Sequence, residues 1–219
     1  MPDRPRLDPK APDVIRAFIA VDVPPEVKDH LSSVSTALGS LDLDVRLAPV
    51  SSIHLTLRFL GNVEETRVPG IGDAIRRCAQ RVQPFPLAVR NLGAFPSRKR
   101  PRIVWAGVAG DGGLERLHGL LELELKKLGF DREKKKFRPH LTLLRLKSSR
   151  NLKRLSSYLE TEGQGTGPVS FLVRRIHLYE SRLSSQGARH QKLATAELAA
   201  GSTRPPAARR SRHPQRPPR

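Results

Sequence analysis

The chain has 219 residues, enough to bury a substantial core in one domain or two small lobes. Its 40 lysines and arginines against 21 acidic residues give a formal charge of +19, which favours a polyanionic partner, nucleic acid first and an anionic membrane second. The single cysteine excludes an intramolecular disulfide and a clustered-thiol metal site, and the lack of a long apolar stretch or an apolar leader predicts a cytoplasmic protein with no membrane span.

The first half of the chain alternates predicted strands with amphipathic helices. An apolar run that ends at Asp22 predicts the first strand, and Pro25 begins a helix that Gly39 ends. The remaining predicted elements of this half are two extended segments, an apolar-striped helix, another strand and a basic loop, at 45–47 and 53–60, 68–82, 87–92, and 98–102.

The same order then restarts at Ile103. A strand is followed by a helix that Asp111 can cap and Gly129 ends. The later predicted elements are a basic segment, a strand, a helix and two more strand regions, at 134–136, 139–146, 152–159, 169–179 and 191–198.

A short motif occurs once in each half, 86 residues apart, at His54 and His140. The same offset carries Phe18 onto Val104 and Leu31 onto Leu117, so the chain contains a duplicated strand-helix-strand-helix-strand unit. Two such units related by an approximate two-fold axis would set the two histidines opposite each other.

The motif reads His-Leu-Thr-Leu in both copies. Because side chains alternate along a strand, His54 and Thr56 share one face, and His140 and Thr142 share one face. An unpartnered polar face is costly to bury, so each copy is expected to line a wet cleft. Strict alternation also places Arg58 on the histidine face and Arg145 on the opposite face, unless a β-bulge or the strand end redirects it.

Two facing imidazoles could divide the hydrolysis of a phosphodiester between a base and an acid, with no metal or cofactor. The threonine hydroxyls could hydrogen-bond the non-bridging phosphate oxygens. One copy alone would be weak evidence, since histidine on a strand is more often structural and threonine simply favours strands. Two copies at equivalent places are a stronger signal.

Five segments carry a resemblance to a known family: RAFIA at 16–20, HLTLRFLG at 54–61, PRIVW at 101–105, RPHLTLLR at 138–145 and LYESRL at 178–183. The chain resembles the RNA 2′,3′-cyclic phosphodiesterases, also called 2′-5′ RNA ligases, of the two-histidine phosphoesterase superfamily. The resemblance implies an α+β, bilobal fold, with two pseudo-two-fold-related lobes whose antiparallel sheets flank a central cleft and whose helices lie outside. A domain at 13–200 would lie between a flexible leader at 1–12 and an Arg/Pro-rich disordered tail at 201–219.

The resemblance further implies hydrolysis of a terminal 2′,3′-cyclic phosphate to a 2′-phosphate, or the reverse 2′-5′ ligation in some members. His54 would donate a proton to the leaving oxygen and His140 would accept one from water, a division that residue types alone leave open. The substrate contacts that it implies are Arg58, Arg145, Phe18 and Arg46.

Two positions depart from the family pattern. Leu47 stands where a tryptophan is frequent, which predicts weaker base stacking. His190 stands where a tyrosine usually follows the Gly-Ala-Arg turn, so that contact is in doubt.

Other functions remain open from the sequence. The chain could be a non-catalytic RNA-binding module, or a phosphodiesterase for another cyclic or 2′-5′-linked nucleotide. The tail is equally well explained as a solvated segment or as an arm that attracts RNA. The expected partner is an RNA with a cyclic phosphate end, such as a tRNA fragment or another small RNA, and nothing in the sequence demands more than a monomer.

Overall fold

Every predicted helix and strand is present in the computed structural model, which describes residues 13–161, 163, 169–184 and 187–199. The strands are β1 (Val14–Asp22), β2 (Val45–Leu47), β3 (His54–Glu64), β4 (Phe85–Ser97), β5 (Arg100–Gly110), β6 (His140–Leu146), β7 (Val169–Val173), β8 (Arg175–Ser184) and β9 (Gly187–Glu197). The helices are α1 (Pro25–Gly39), α2 (Val68–Ala79), α3 (Gly113–Lys127) and α4 (Leu152–Glu160). The predicted leader and tail lie outside the described residues.

Helix boundaries follow local chemistry. Pro25 occupies the first helical position of α1, where its missing N–H costs nothing and its fixed φ suits the helix. At the start of α3, Asp111 accepts a hydrogen bond from the Gly113 N–H at 3.2 Å, while Gly112 takes the capping position with a positive φ of 96°.

The basic stretch that was predicted as a loop is mostly strand. β4 and β5 form one long hairpin in which Ser97 pairs with Arg100, so that only Arg98 and Lys99 form the turn. Charged residues tolerate these strand positions because Arg100 and Arg102 are exposed to solvent.

The strands form two antiparallel sheets. Their orders are β3-β1-β8-β9 and β2-β6-β5-β4-β7. The 86-residue offset carries β1, α1 and β3 onto β5, α3 and β6. β8 lies beside β1, whereas β4, its approximate equivalent, lies beside β5. Each half of the chain gives two strands to the other half's sheet: β2 and β4 from the first half, β8 and β9 from the second. The fold is therefore the predicted α+β arrangement of two related, interleaved lobes.

One apolar core joins the two sheets and the helices. It includes residues from every part of the duplicated unit, among them Ile19, Leu55, Leu141 and Ile176. A smaller buried cluster of Phe18, Ala20 and Tyr179 lies on the other face of β1 and β8. Within the described residues, no helix is both long and apolar enough to cross a bilayer.

Candidate active site

The two motif histidines begin equivalent strands, β3 and β6, and are held in the same way. Nδ1 of His54 lies 2.8 Å from the carbonyl oxygen of Ser52, and Nδ1 of His140 lies 2.7 Å from that of Arg138. A carbonyl can only accept, so each Nδ1 carries the proton and donates it, and the neutral ring keeps a free lone pair on Nε2. Each Nε2 is therefore free to exchange a proton with a substrate.

An aromatic ring supports each histidine. Phe18 stacks on His54 with ring centroids 4.7 Å apart, and Tyr179 stacks on Phe18 at 5.2 Å while its own centroid lies 6.3 Å from that of His54. Phe95 meets His140 edge to face at 4.9 Å, and Trp105 lies beside both rings, 5.1 Å from Phe95 and 6.2 Å from His140. These rings restrict the imidazoles to one orientation. Tyr179, Phe95 and Trp105 were not identified as site residues from the sequence, because the pairing of strands that are distant in the chain brings them to the histidines.

Phe18, expected to contact substrate, is almost fully buried. Only 2% of its surface is exposed, and its ring contacts those of His54, Tyr179 and His190. A side chain so buried offers a substrate little surface, and its stacking contact holds the ring of His54.

A β-bulge in β3 turns Arg58 away from the histidine face. Thr56 pairs with Ala20 but Arg58 pairs with Ile19, which leaves Leu57 as an extra residue. Arg58 therefore shares the face of Ile19, which belongs to the main core. Arg58, expected on the face of His54 as a substrate contact, therefore lies on the opposite face.

Arg58 instead forms an ion pair with α3. Its Nε lies 2.7 Å from Oε1 of Glu122, without a well-directed hydrogen bond between these two atoms, and its Nη1 donates to Glu133 at 3.0 Å. The side chains of Arg58 and Glu122 are only 11% and 7% exposed.

A bulge at the equivalent place in β6 has the opposite effect on Arg145. Thr142 pairs with Trp105 and Leu144 with Val104, so Leu143 is the extra residue, 86 positions after Leu57. The bulge brings Arg145 onto the face of His140. Burial is the largest cause of the lowered pKa of His140, and the positive charge of the Arg145 guanidinium lowers that pKa further. The sequence had left this redirection as one of several possibilities.

The strand next to β6 adds a second exposed arginine to this region. In β2, Arg46 pairs directly with Arg145, so the two side chains share a face. Leu47 pairs with the buried Leu144 and lies on the other face. Leu47 therefore does not share the face of Arg145 and His140.

Phe59 is a further residue on the face of Phe18 that was not identified from the sequence. It follows the bulge in β3, pairs with Phe18 and is 58% exposed, with the two rings 6.0 Å apart. The 86-residue offset could have indicated it, because Phe59 is the equivalent of Arg145.

The motif threonines lie one pleat beyond the histidines, as predicted. Thr56 and Thr142 are both half-buried. Neither hydroxyl has a hydrogen-bond partner among the described protein groups, so both can bind a ligand.

His190 is a third imidazole beside His54. Its ring meets His54 at 5.1 Å and Phe18 at 5.0 Å, both edge to face. Its Nδ1 is buried and has no partner among the described groups. The residue that departs from the family pattern therefore still reaches the site, in contact with His54.

A polar network lies behind His54. Asp22 pairs with His54 across the sheet and accepts hydrogen bonds from the Tyr179 hydroxyl and, at 2.6 Å, from the Lys192 ammonium. Nε2 of His177 lies 3.4 Å from Oδ2 of the same carboxylate. Burial raises the pKa of Asp22, but these donors and the His177 charge outweigh it and keep the net pKa low.

Burial lowers the pKa values of both His54 and His140 from the ordinary 6.5. Their neighbours distinguish the two histidines. After burial, the hydrogen bond to the Ser52 carbonyl raises the pKa of His54 and positive charge on His190 lowers it, while the Asp22 carboxylate raises it by less than His190 lowers it. At His140, by contrast, the neighbouring charge is the Arg145 guanidinium, which lowers the pKa. The charge of Asp22 thus favours a protonated His54, and that of Arg145 a neutral His140.

The other histidines lie apart from this chemistry. His30 and His118 are on helices, His177 belongs to the Asp22 network, and His213 is outside the described residues. Among the described residues, no three histidine, cysteine or acidic side chains cluster in a way that could hold a metal ion.

Known proteins match this chain over most of its length. A family model described as the 2′-5′ RNA ligase superfamily matches residues 23–184. The RNA 2′,3′-cyclic phosphodiesterase of Methanothermobacter thermautotrophicus is 33% identical over 173 residues, which cover 79% of this chain and 93% of that protein. The protein of the same name from Aeropyrum pernix is 37% identical over 160 residues, 72% of this chain and 89% of that protein.

Solved structures have the same fold. A protein from Thermus thermophilus matches with a TM-score of 0.71 and 27% identity, over 84% of this chain and 98% of that one. Escherichia coli LigT, solved in complex with 3′-AMP, matches with a TM-score of 0.68 and 23% identity, over 86% of this chain and 100% of that one.

Proposed function

The chain belongs to an enzyme family, the 2′-5′ RNA ligase superfamily, and we propose that it hydrolyses the 2′,3′-cyclic phosphate at the end of an RNA to a 2′-phosphate. The observation that carries the proposal is the matched pair of histidines, each held through Nδ1 by a backbone carbonyl so that Nε2 is free. The names of the relatives, at moderate identity over most of the chain, support RNA as the substrate.

In the proposed reaction, Nε2 of His140 takes a proton from water as the water oxygen attacks phosphorus. The bond from phosphorus to O3′ breaks, and the protonated Nε2 of His54 gives its proton to O3′. The phosphate stays on O2′, and proton exchange with solvent resets both rings. The charges of Asp22 and Arg145 support this division, because the carboxylate stabilises the imidazolium of His54 and the guanidinium destabilises that of His140.

Five further residues are assigned to the substrate. The hydroxyls of Thr56 and Thr142 would hydrogen-bond the non-bridging oxygens, and Arg145 would balance their charge as it grows in the transition state. Phe59 offers an exposed ring on the same face as Phe18, suited to a nucleobase, and Arg46 supplies a second cation beside Arg145.

The proposed mechanism needs no metal ion, since the two imidazoles carry out both proton transfers. The test is product analysis with a nucleoside 2′,3′-cyclic phosphate in excess chelator, for the wild type, His54→Ala and His140→Ala. We expect the 2′-phosphate as product and a loss of roughly 10²- to 10⁴-fold in kcat for each variant. Formation of the 3′-phosphate, or full activity in either variant, would contradict the assignment.

The same assay separates the alternatives. A folded protein that binds RNA but converts neither the nucleotide nor a short RNA with a cyclic end would be a binding module. Turnover of 2′-5′-linked dinucleotides in preference to cyclic ends would make it a phosphodiesterase of another specificity.

A related reaction, 2′-5′ ligation, is the activity in the family's name. Attack by a ribose 5′-hydroxyl in place of water would use the same two histidines. Incubation of a cyclic-ended RNA with a 5′-hydroxyl RNA tests it, and a ligation product that survives in His140→Ala would refute a shared site.

A further inference from the structure

A second concave surface lies between α3 and the segment that leads into β6. It is a cavity of about 470 Å³. Its walls are one face of α3, which includes His118, and the segment 132–137. None of the residues assigned above to proton transfer or phosphate binding lines it.

The walls carry an excess of positive charge. Arg132, Lys134, Lys135 and Lys136 all line the cavity and are exposed, and we call these four residues the basic cradle. Within the described part of the chain, the three lysines form no ion pair. The two acidic residues of the lining, at 122 and 133, are instead both paired with Arg58. The cradle therefore presents uncompensated cations, which attract a polyanion.

The segment that carries the cradle is fixed at both ends. At its start, Arg58 donates to the Asp131 carbonyl, and the Glu133 N–H donates to Glu122 on α3 at 3.1 Å. At its end, the Arg138 carbonyl accepts the hydrogen bond from His140. A cation held in place before binding loses less entropy when a ligand arrives.

The cavity lining also includes two stacked aromatic rings. The rings of His118 and Phe137 stack 4.0 Å apart with only 8° between their planes. Bases and riboses pack against such surfaces in single-stranded nucleic-acid sites. Charge and aromatic surface together fit a nucleic acid better than an acidic peptide, which would need no aromatic wall.

The cradle is close to the cleft along the chain. Lys136 is four residues from His140, so their Cα atoms can be at most about 14 Å apart. A single RNA strand with its end at His140 can reach that far with a few nucleotides.

We propose that the basic cradle binds the phosphate backbone of the RNA whose cyclic end lies at His54 and His140. This inference rests on the proposed function. The basic cradle then distinguishes an RNA strand from a mononucleotide, since a mononucleotide in the cleft cannot reach it.

The test compares Lys134→Gln/Lys135→Gln with the control Lys153→Gln/Arg154→Gln, which removes two exposed charges from α4. Each protein is assayed on a nucleoside 2′,3′-cyclic phosphate and on a single-stranded decamer ending in a cyclic phosphate. For the cradle variant we expect an unchanged mononucleotide rate and a KM for the decamer raised roughly tenfold, with the slope of log kcat/KM against log salt reduced by about 1.4. The control should match the wild type on both substrates.

Three outcomes would overturn the proposal. They are an unchanged KM for the decamer, an equal loss on both substrates, which would mean that the lysines act on the cleft itself, and an equal effect of the control. If the wild type turns over neither substrate, the proposed function has failed. The cradle is then judged by fluorescence anisotropy with a labelled decamer, where unweakened binding by the cradle variant would refute it and point to an acidic protein partner.

Discussion

The buried ion pair between Arg58 and Glu122 yields the sharpest test of the bulge in β3. If Leu57 is the extra residue, Arg58 is structural, and Glu122→Gln leaves its guanidinium nearly buried without its main counter-charge. Removing one partner of a buried pair costs roughly 3–5 kcal/mol. Because Glu133 still lies 3.0 Å away, we expect the lower end, about 3 kcal/mol.

The assay is urea unfolding at neutral pH, read together with kcat/KM on a nucleoside 2′,3′-cyclic phosphate. Glu122→Gln should lower the free energy of unfolding and leave the kinetics of the folded fraction unchanged. The control Glu115→Gln removes an exposed carboxylate from the first turn of the same helix and should cost less than about 1 kcal/mol.

The double variant Arg58→Met/Glu122→Leu removes both charges of the pair. Apolar replacement of a whole buried pair is often neutral or stabilising, so the double variant should be more stable than Glu122→Gln. The reasoning fails if Glu122→Gln is as stable as the wild type while Arg58→Met loses activity without losing stability. That result would put Arg58 back on the histidine face.

Three more outcomes are expected. Burial lowers the pKa values of five described histidines. The unfolded chain therefore binds more protons below about pH 6.5, and the melting temperature should fall as pH drops from there toward about 5; a flat profile would contradict their burial. His190→Phe removes a charge that lowers the pKa of His54, so the descending limb of kcat/KM against pH should move to higher pH, whereas His30→Phe on α1 should leave it in place. Arg145→Ala should lower kcat/KM by roughly 10- to 100-fold, as for a lost charged hydrogen bond, while Phe59→Ala should mainly raise KM, by roughly 5- to 100-fold for lost stacking; equal kcat effects of the two would argue against their separate roles.

The order of helices and strands could be predicted because each carries its own local signal. The structure begins α1 at Pro25 and ends it at Gly39, where the sequence predicted both boundaries. The placement of His54, Thr56, His140 and Thr142 needed only the two-residue period of a strand.

The arginines could not be placed in this way, because a bulge inserts one residue and reverses every face beyond it. Leu57 and Leu143 look like any other leucine in an apolar strand, so alternation put Arg58 in the cleft and left Arg145 uncertain. The rings that support the histidines were also out of reach, since Tyr179 and Phe95 reach them only through the pairing of distant strands.

The two equivalent bulges affect the direction in which an RNA strand can lie in the cleft. An approximate two-fold axis makes the two halves of the cleft interchangeable, and matched histidines alone would let a strand of RNA enter either way round. A nucleic acid has a 5′ and a 3′ sense, so discrimination must come from equivalent positions that differ. The bulges expose one such pair, an aromatic ring at Phe59 and a cation at Arg145. A duplicated, near-symmetric scaffold thereby acquires a polarity at positions where its two halves carry unlike residues.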